Sequence, residues 1–246
     1  MHDKFHDSAG VPWEGREFSQ NSWSEDDGST PQVLADALAG ELDKSKLFVA
    51  LAQSRLLIPL LAELGDSGIG SHGQTVDKSA DLAIVAVSTP DGKTAIPAFS
   101  SVSEMAAWNA TARPVPVDAP KLAIAAVSEG HDRVVLNPAG QAIGLRRPEL
   151  AALAQGLAWT PAHLDERVWK LVSDAALPHQ EISSVRLFDA DPNANLTKPE
   201  LGIEIGLVAG LAQTDLKQVL AEFGVGCQTQ EFLKLVDSFT IRLVAG

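Results

Sequence analysis

The chain has 246 residues, 45% of them hydrophobic, which suffices for the core of one large domain or two small ones. Its formal net charge of −13 would repel nucleic-acid phosphates and anionic lipids, so we expect neither nucleic acid nor a membrane as a partner. The single cysteine, Cys227, excludes an internal disulfide framework and fits a reducing compartment. Because residues 1–10 are charged where a secretory signal would be apolar, we expect a cytoplasmic protein.

Residues 1–30 are predicted to form a flexible segment that is both acidic and aromatic. The segment is rich in Ser, Gly, Asp and Glu, yet it contains Phe5, Trp13, Phe18 and Trp23. Two interpretations are open: the rings pack back onto the parent domain, since burial of an aromatic side chain is favourable, or they dock onto another protein. In the second interpretation Trp13 and Trp23 are the candidate partner-binding residues.

Two helices and a strand follow this segment. Thr30 and the proline after it are typical of a helix N-terminus and predict a helix that ends near residue 42. A second helix is predicted over 46–53. Residues 55–61 are apolar but include Pro59, which lacks a backbone donor and therefore indicates a short edge strand.

The strongest structural signal covers residues 81–140. Both alternating sets of side chains in 81–88 are apolar, which predicts a central strand covered on both faces. A Pro-Asp-Gly turn then predicts an antiparallel hairpin with residues 94–99. Ser101, with Glu104 three positions later, forms a capping-box pattern at the start of a helix.

Helices and strands alternate through the rest of the chain. The predicted helices cover 119–129, a segment from Pro148, a segment from Thr160 to about 176, 215–223 and 230–236. The predicted strands cover 133–136, 141–145, 182–188, 201–207 and 239–243. We therefore predict an α+β protein of two units, each with a small mixed or antiparallel sheet covered by helices. The predicted domains are residues 1–30, 31–158 and 159–246.

Residues 189–200 contain the sharpest local motif, because oxygen-bearing side chains fall at loop positions 1, 3, 5 and 12, as in a calcium-binding loop. These four candidate ligands are Asp189, Asp191, Asn193 and Glu200. Position 6 is Ala194 where such a loop needs glycine, so the sharp turn there would cost roughly 1–2 kcal/mol. A calcium-binding module and a polar connection between two strands are the alternatives.

Catalytic groups are sparse in the sequence. Ser67 lies in a Gly-Asp-Ser-Gly segment like that of trypsin-like proteases, but only His2 and His6 precede it. Cys227 would need a histidine such as His179 close by in order to act as a nucleophile. No phosphate-binding glycine motif and no metal-ligand spacing stands out among the histidines. We therefore expect no enzyme activity and no cofactor, with a hydrolase as the less favoured alternative.

Several packing and turn segments resemble the bacterial SseB family, whose name stands for enhanced serine sensitivity. These segments are 81–87, 95–99, 101–108 and 134–140. The resemblance covers residues 31–156, and the second half is similar to the family's C-terminal domain in its order of strands and helices. It implies an α+β fold and supplies no catalytic residue.

These observations favour a non-enzymatic protein of the cytoplasm that binds or regulates another protein. We expect its partner surfaces to be the edge strands that contain Pro59 and Pro97, and the segment with Trp13 and Trp23. A calcium-binding module at residues 189–200 and a hydrolase are the alternatives.

Overall fold

The computed structural model describes residues 26–62 and 82–245. These residues form an α+β fold of three small sheets with helices packed against them, as the sequence predicts. In the described part of the chain, no helix combines the length and the apolar character that crossing a bilayer requires.

The first sheet has the strand order β2-β1-β5 and is antiparallel throughout. Its strands are β1 (Arg55–Ala62), β2 (Leu82–Ile84) and β5 (Arg113–Asp118). The prediction that Pro59 marks an edge strand is wrong, because β1 lies in the centre of this sheet.

A central strand tolerates Pro59 because of the direction in which its nitrogen points. The Leu57 N–H donates to the Phe99 carbonyl at 2.8 Å, on the side away from β5. Residues two apart in a strand point the same way, so the Pro59 nitrogen also points to that side. Pairing with β2 begins only at Leu60, and no ladder bond is therefore lost at the proline.

The second sheet has the strand order β3-β4-β6-β7. Its strands are β3 (Val87–Ser88), β4 (Thr94–Ala98), β6 (Arg133–Leu136) and β7 (Ile143–Leu145). The predicted hairpin of β3 and β4 is confirmed, and β4 runs parallel to β6. Pro97 lies in β4, which is an interior strand, so the prediction of an edge strand is wrong here as well.

Residues 81–88 do not form the predicted central strand. They divide into β2 and β3, each at the edge of a different sheet, with Val85 and Ala86 between them. Val85 is half-buried and Ala86 is exposed. The apolar residues on both sides of the pattern therefore reflect a chain that passes from one sheet to another, and not a strand that is covered on both faces.

Five helices accompany these two sheets. They are α1 (Gln32–Leu38), α2 (Lys44–Ala52), α3 (Val102–Trp108), α4 (Ala119–Ser128) and α5 (Arg147–Gln155). Thr30 does not cap α1, because its hydroxyl donates to the Ser100 hydroxyl, and α1 ends at Leu38. Ser101 does cap α3, since its hydroxyl accepts the Glu104 N–H at 3.2 Å.

The third sheet has the strand order β10-β9-β8. Its strands are β8 (Ile182–Asp189), β9 (Leu201–Leu207) and β10 (Phe239–Ala245), and its helices are α6 (Glu166–Ala176), α7 (Gln213–Cys227) and α8 (Gln230–Leu235). Thr160 does not begin α6: a 3-10 turn follows it, and the Asp165 carboxylate caps the helix by accepting the Arg167 N–H at 2.8 Å.

Two large hydrophobic cores stabilise these layers. One contains Leu34, Leu51, Leu122 and Leu136, between α1, α2, α4 and the strands of the first two sheets. The other lies on one face of the third sheet, where β9 packs against the helices that carry Val172, Phe223 and Phe232. The two cores are separate, so other contacts must hold the third sheet onto the rest of the fold.

Candidate functional site

A buried ion pair joins β6 to Asp237, which lies two residues before β10. The guanidinium of Arg133, which is 1% exposed, donates to both carboxylate oxygens of Asp237 at 2.9 and 2.6 Å. Its Nε also donates to Asp91 at 3.0 Å. The Asp237 side chain is 2% exposed. Because both side chains are shielded from water, the cost of desolvating each charge is offset by its contact with the other.

Arg146, at the end of β7, forms the second buried ion pair. Its Nη2 donates to the Asp191 carboxylate at 2.6 Å and to the Lys198 carbonyl at 2.7 Å. Its Nη1 donates to the Ser238 hydroxyl at 3.3 Å. This one side chain therefore contacts two separate segments of the third sheet's connections.

Two of the four predicted calcium ligands face cations in this structure. Asp189 accepts from the Lys44 ammonium at 2.8 Å, and Asp191 accepts from Arg146. One oxygen of Glu200 accepts the Asp237 N–H at 2.8 Å. Among residues 26–62 and 82–245, no group of three or more His, Cys, Asp or Glu side chains is arranged to hold a metal ion.

Residues 189–200 form a clasp that lies on the second sheet. The Gly144 N–H in β7 donates to the Ala194 carbonyl at 2.6 Å. Leu196, 2% exposed, packs with Ala95 and Val135 on the face of the sheet. Ala194 and Leu196 have φ of 49° and 61°, a left-handed conformation that costs about 1–2 kcal/mol per residue. The contacts of the clasp must offset that cost.

Gly144→Ala tests the clasp directly. A Cβ at this position would lie 2.3 Å from the Leu196 Cγ, so the buried leucine would have to move. We expect the free energy of unfolding to fall by about 1–3 kcal/mol, as for other overpacked sites. Urea denaturation followed by tryptophan fluorescence measures this change. Gly224→Ala is the control, because nothing lies within 4 Å of its added Cβ; equal losses would mean that the clasp contact is loose.

Two buried glutamates lie beside these ion pairs. Burial raises the pKa of Glu149 to about 8, although the Arg146 N–H donates to its carboxylate at 2.6 Å. Burial likewise raises the pKa of Glu200 to about 7. The second oxygen of Glu200 is buried with no hydrogen-bond partner. The charge of these two carboxyl groups therefore changes near neutral pH.

An open groove of about 410 Å³, lined by polar as well as apolar side chains, lies between α6 and the start of β8. Its main apolar side chains are Trp169, Leu177, Ile182 and Val185. Leu177 is 79% exposed and Trp169 is 47% exposed, which is unusual for side chains of this size. Residues of β8 line the groove and residues of β9 do not, so the groove lies on the outer side of β8, with which no described strand pairs.

The outer edge of β5 differs from that of β8, because it contains two prolines. Pro116 lies opposite Leu57, whose backbone bonds go to Phe99, so the Pro116 nitrogen points outward from the sheet. Pro114 points the same way. This edge offers no N–H group at either position and is closed to strand addition.

A second groove lies between α1 and α2; it is apolar and has a volume of about 430 Å³. Val33, Ala37, Val49 and Ala50 line it, with polar side chains at its rim. Val33 and Val49 are 43% and 54% exposed. The described residues leave this groove open.

Of the residues that the sequence suggested for catalysis, the structure describes Cys227 and His179. Cys227 is completely buried, and burial raises the pKa of its thiol to about 12, which disfavours the nucleophilic thiolate. The nitrogen of His179 lies 3.9 Å from a Glu222 carboxylate oxygen. Ser67, Trp13 and Trp23 lie outside the described residues.

Sequence reasoning missed Arg133 and Arg146 altogether. The available signal is weak: Arg133 begins an apolar strand, and Arg146 follows one and precedes a proline-containing helix start. Their partners lie 104 and 45 residues away along the chain, a separation at which no local pattern operates.

The described residues form an α+β scaffold with a clasped third sheet and two open grooves. Residues 31–152 match the family model of the SseB protein N-terminal domain, and the chain belongs to the SseB family. Neither a curated protein nor a solved structure matches the chain.

Proposed function

We propose that this chain is a non-enzymatic module of the cytoplasm that binds a protein partner at the outer edge of β8. The observation that carries the proposal is the position of the α6–β8 groove, which lies directly beside an unpaired strand edge. The partner segment would be extended, would pair with β8, and would insert an apolar side chain between Trp169 and Leu177.

The backbone of β8 supports this mode of binding. The strand has eight residues and no proline, so the outward-pointing N–H and C=O groups form a continuous row. Such a row pairs readily with another extended chain, because strand addition replaces hydrogen bonds to water with a regular ladder. A bulge at Ser183 interrupts the register only at the start of the strand.

The groove supports a preference for certain sequences. In strand addition the main chain supplies affinity, and pockets for alternate side chains supply specificity. Tryptophan is among the residue types that contribute most to the binding free energy of protein interfaces, and Trp169 is 47% exposed. Leu177 is 79% exposed. An apolar side chain of the partner would cover both, whereas a charged one would be desolvated without compensation.

The test is selection of extended binders from a displayed library of random peptides, followed by substitution of Leu177 with lysine. We expect Leu177→Lys to weaken the selected peptides about 30-fold, which corresponds to roughly 2 kcal/mol. Fluorescence anisotropy with labelled peptides measures the change. Val225→Lys is the matched control, because Val225 is 76% exposed on α7 and does not line the groove.

The proposal fails if the library yields no binder, or if both lysine variants bind the selected peptides as tightly as the unmodified chain. A peptide that contacts α7 would instead be weakened by Val225→Lys alone. Circular dichroism of both variants would show that the fold is retained, as expected for side chains that are so exposed.

Two alternatives from the sequence have their own tests. A calcium module at residues 189–200 requires Asp189 and Asp191 to leave Lys44 and Arg146, and terbium luminescence at micromolar ion would report such a site. A hydrolase requires labelling by serine- or thiol-directed probes that is lost in Ser67→Ala or Cys227→Ala. The buried, high-pKa thiol weighs against Cys227.

A further inference from the structure

We propose that the α1–α2 groove is the binding site for this chain's own residues 1–25, with the indole of Trp13 or Trp23 as the anchor. The inference is independent of the β8 edge and concerns the opposite end of the sequence. The proposed occupant of the groove belongs to the same molecule. The competing outcome is that these tryptophans bind another protein.

The groove has the chemistry of an aromatic binding site. Its floor consists of Ala37 and Ala50, whose small side chains leave the depression, and its walls are Val33 and Val49. A volume of about 430 Å³ lies in the range that accommodates a large side chain and its neighbours. Covering exposed apolar surface of this kind on two adjacent helices is favourable, because it removes that surface from water.

Residues 1–25 join the fold at a point that two contacts hold in place. Asp26 is held by the guanidinium of Arg55, which is 4% exposed, and the Gly28 carbonyl accepts the Val102 N–H at 2.8 Å. Val33, in the wall of the groove, is only seven residues after Asp26, so the two are at most about 25 Å apart.

The chain from Asp26 back to Trp13 is long enough to span that whole distance, whereas Trp23 reaches the groove only if it lies near Asp26. Trp13 is thirteen residues before Asp26 and can reach about 45 Å from it, while Trp23 can reach about 10 Å. Aromatic residues recur through the segment at Phe5, Trp13, Phe18 and Trp23. The segment therefore offers several rings at different reaches to one groove.

Tethering favours the chain's own segment over a free ligand. A short flexible connection holds an attached group at an effective concentration of roughly millimolar. A separate protein with the same contacts, present at micromolar concentration, would be at a disadvantage of about a thousandfold. The same argument makes a second copy of the chain a poor competitor at low protein concentration.

The experiment measures the reaction rate of an introduced thiol, because the natural Cys227 is buried and should not react. Val49→Cys places a thiol in the groove, and Val127→Cys places one on α4, outside it; the two valines are 54% and 57% exposed in the described structure. In the full chain we expect the thiol at position 49 to react with a thiol reagent several-fold more slowly than the thiol at position 127. Trp13→Ser with Trp23→Ser should abolish the difference.

Three outcomes would overturn the proposal. The first is equal reaction rates at the two positions in the full chain. The second is slow reaction at position 49 that persists when both tryptophans are replaced, since another group would then cover the groove. The third is protection that increases with protein concentration, which would assign the segment to a second copy. Val33→Cys provides a second probe should the variant at position 49 misfold.

Discussion

Arg133→Met is expected to lower the free energy of unfolding by about 3–5 kcal/mol. The substitution removes both hydrogen bonds from Arg133 to the Asp237 carboxylate, which is 2% exposed, and leaves Arg146 and Lys93 as its nearby cations at 3.5 and 3.9 Å. It also removes the bond from Arg133 to Asp91. Because Asp237 lies two residues before β10, we expect the substitution to weaken the attachment of the third sheet.

Urea denaturation of three variants would establish the cause. We expect Arg133→Met combined with Asp237→Leu to recover most of the lost stability, because removal of both buried charges also removes the cost of desolvating them. Arg186→Met is the control: its guanidinium is 64% exposed beside Glu204, and such a pair contributes only about 0–1 kcal/mol. A loss at Arg133 no greater than that at Arg186 would contradict the prediction.

Glu149→Gln is expected to make the protein more stable than the unmodified chain at alkaline pH, by an amount on the order of a few kcal/mol. The pKa of Glu149 is raised to about 8 by burial, from an ordinary value of 4.5. The folded state thus binds the proton more tightly than the unfolded state does. The associated stability is fully present below about pH 4.5 and is lost as the pH rises through 8.

Glutamine keeps the acceptor for the Arg146 N–H and carries no charge at any pH. Each unit of pKa shift corresponds to about 1.4 kcal/mol, which sets the scale of the effect. Thermal unfolding between pH 5 and 9 measures it, with Glu129→Gln on the exposed end of α4 as the control. The prediction is wrong if the two glutamine variants follow the same profile as the unmodified chain.

Glu200 contributes to the same pH dependence. Burial raises its pKa to about 7, so its share of the stability is lost at lower pH than that of Glu149. A Glu149→Gln chain should therefore retain some decline in stability as the pH rises through 7. This residual slope would distinguish the two buried carboxyl groups.

The elements that the sequence predicted well are those with local causes. The turn before β4, with Gly92 at a φ of 78°, produces the hairpin, and the Ser101 hydroxyl caps α3 as expected. Strands β9 and β10 were predicted from alternation of apolar and polar residues, and each lies close to its predicted bounds. In each case residues within a few positions of one another supply the signal for the element.

The predictions that failed depended on a distant partner. Pro59 and Pro97 lie in interior strands because neighbouring strands avoid or tolerate the missing N–H groups, which their own segments do not reveal. Residues 81–88 are shared between two sheets for the same reason. Thr30 and Thr160 each precede a proline, yet Thr30 bonds to Ser100 and the carboxylate of Asp165 caps the later helix.

The sequence by itself determined the α+β class, most of the helices and strands, and the resemblance to the SseB family, because hydrophobic periodicity and turn residues act over short distances. Only the tertiary structure decided which strand edges are open and what residues 189–200 contact. It brought Arg146 to Asp191 and Arg133 to Asp237, across 45 and 104 residues. Charges so far apart in the chain become partners only when the fold packs them together and away from water. Such contacts hold residues 189–200 against the second sheet.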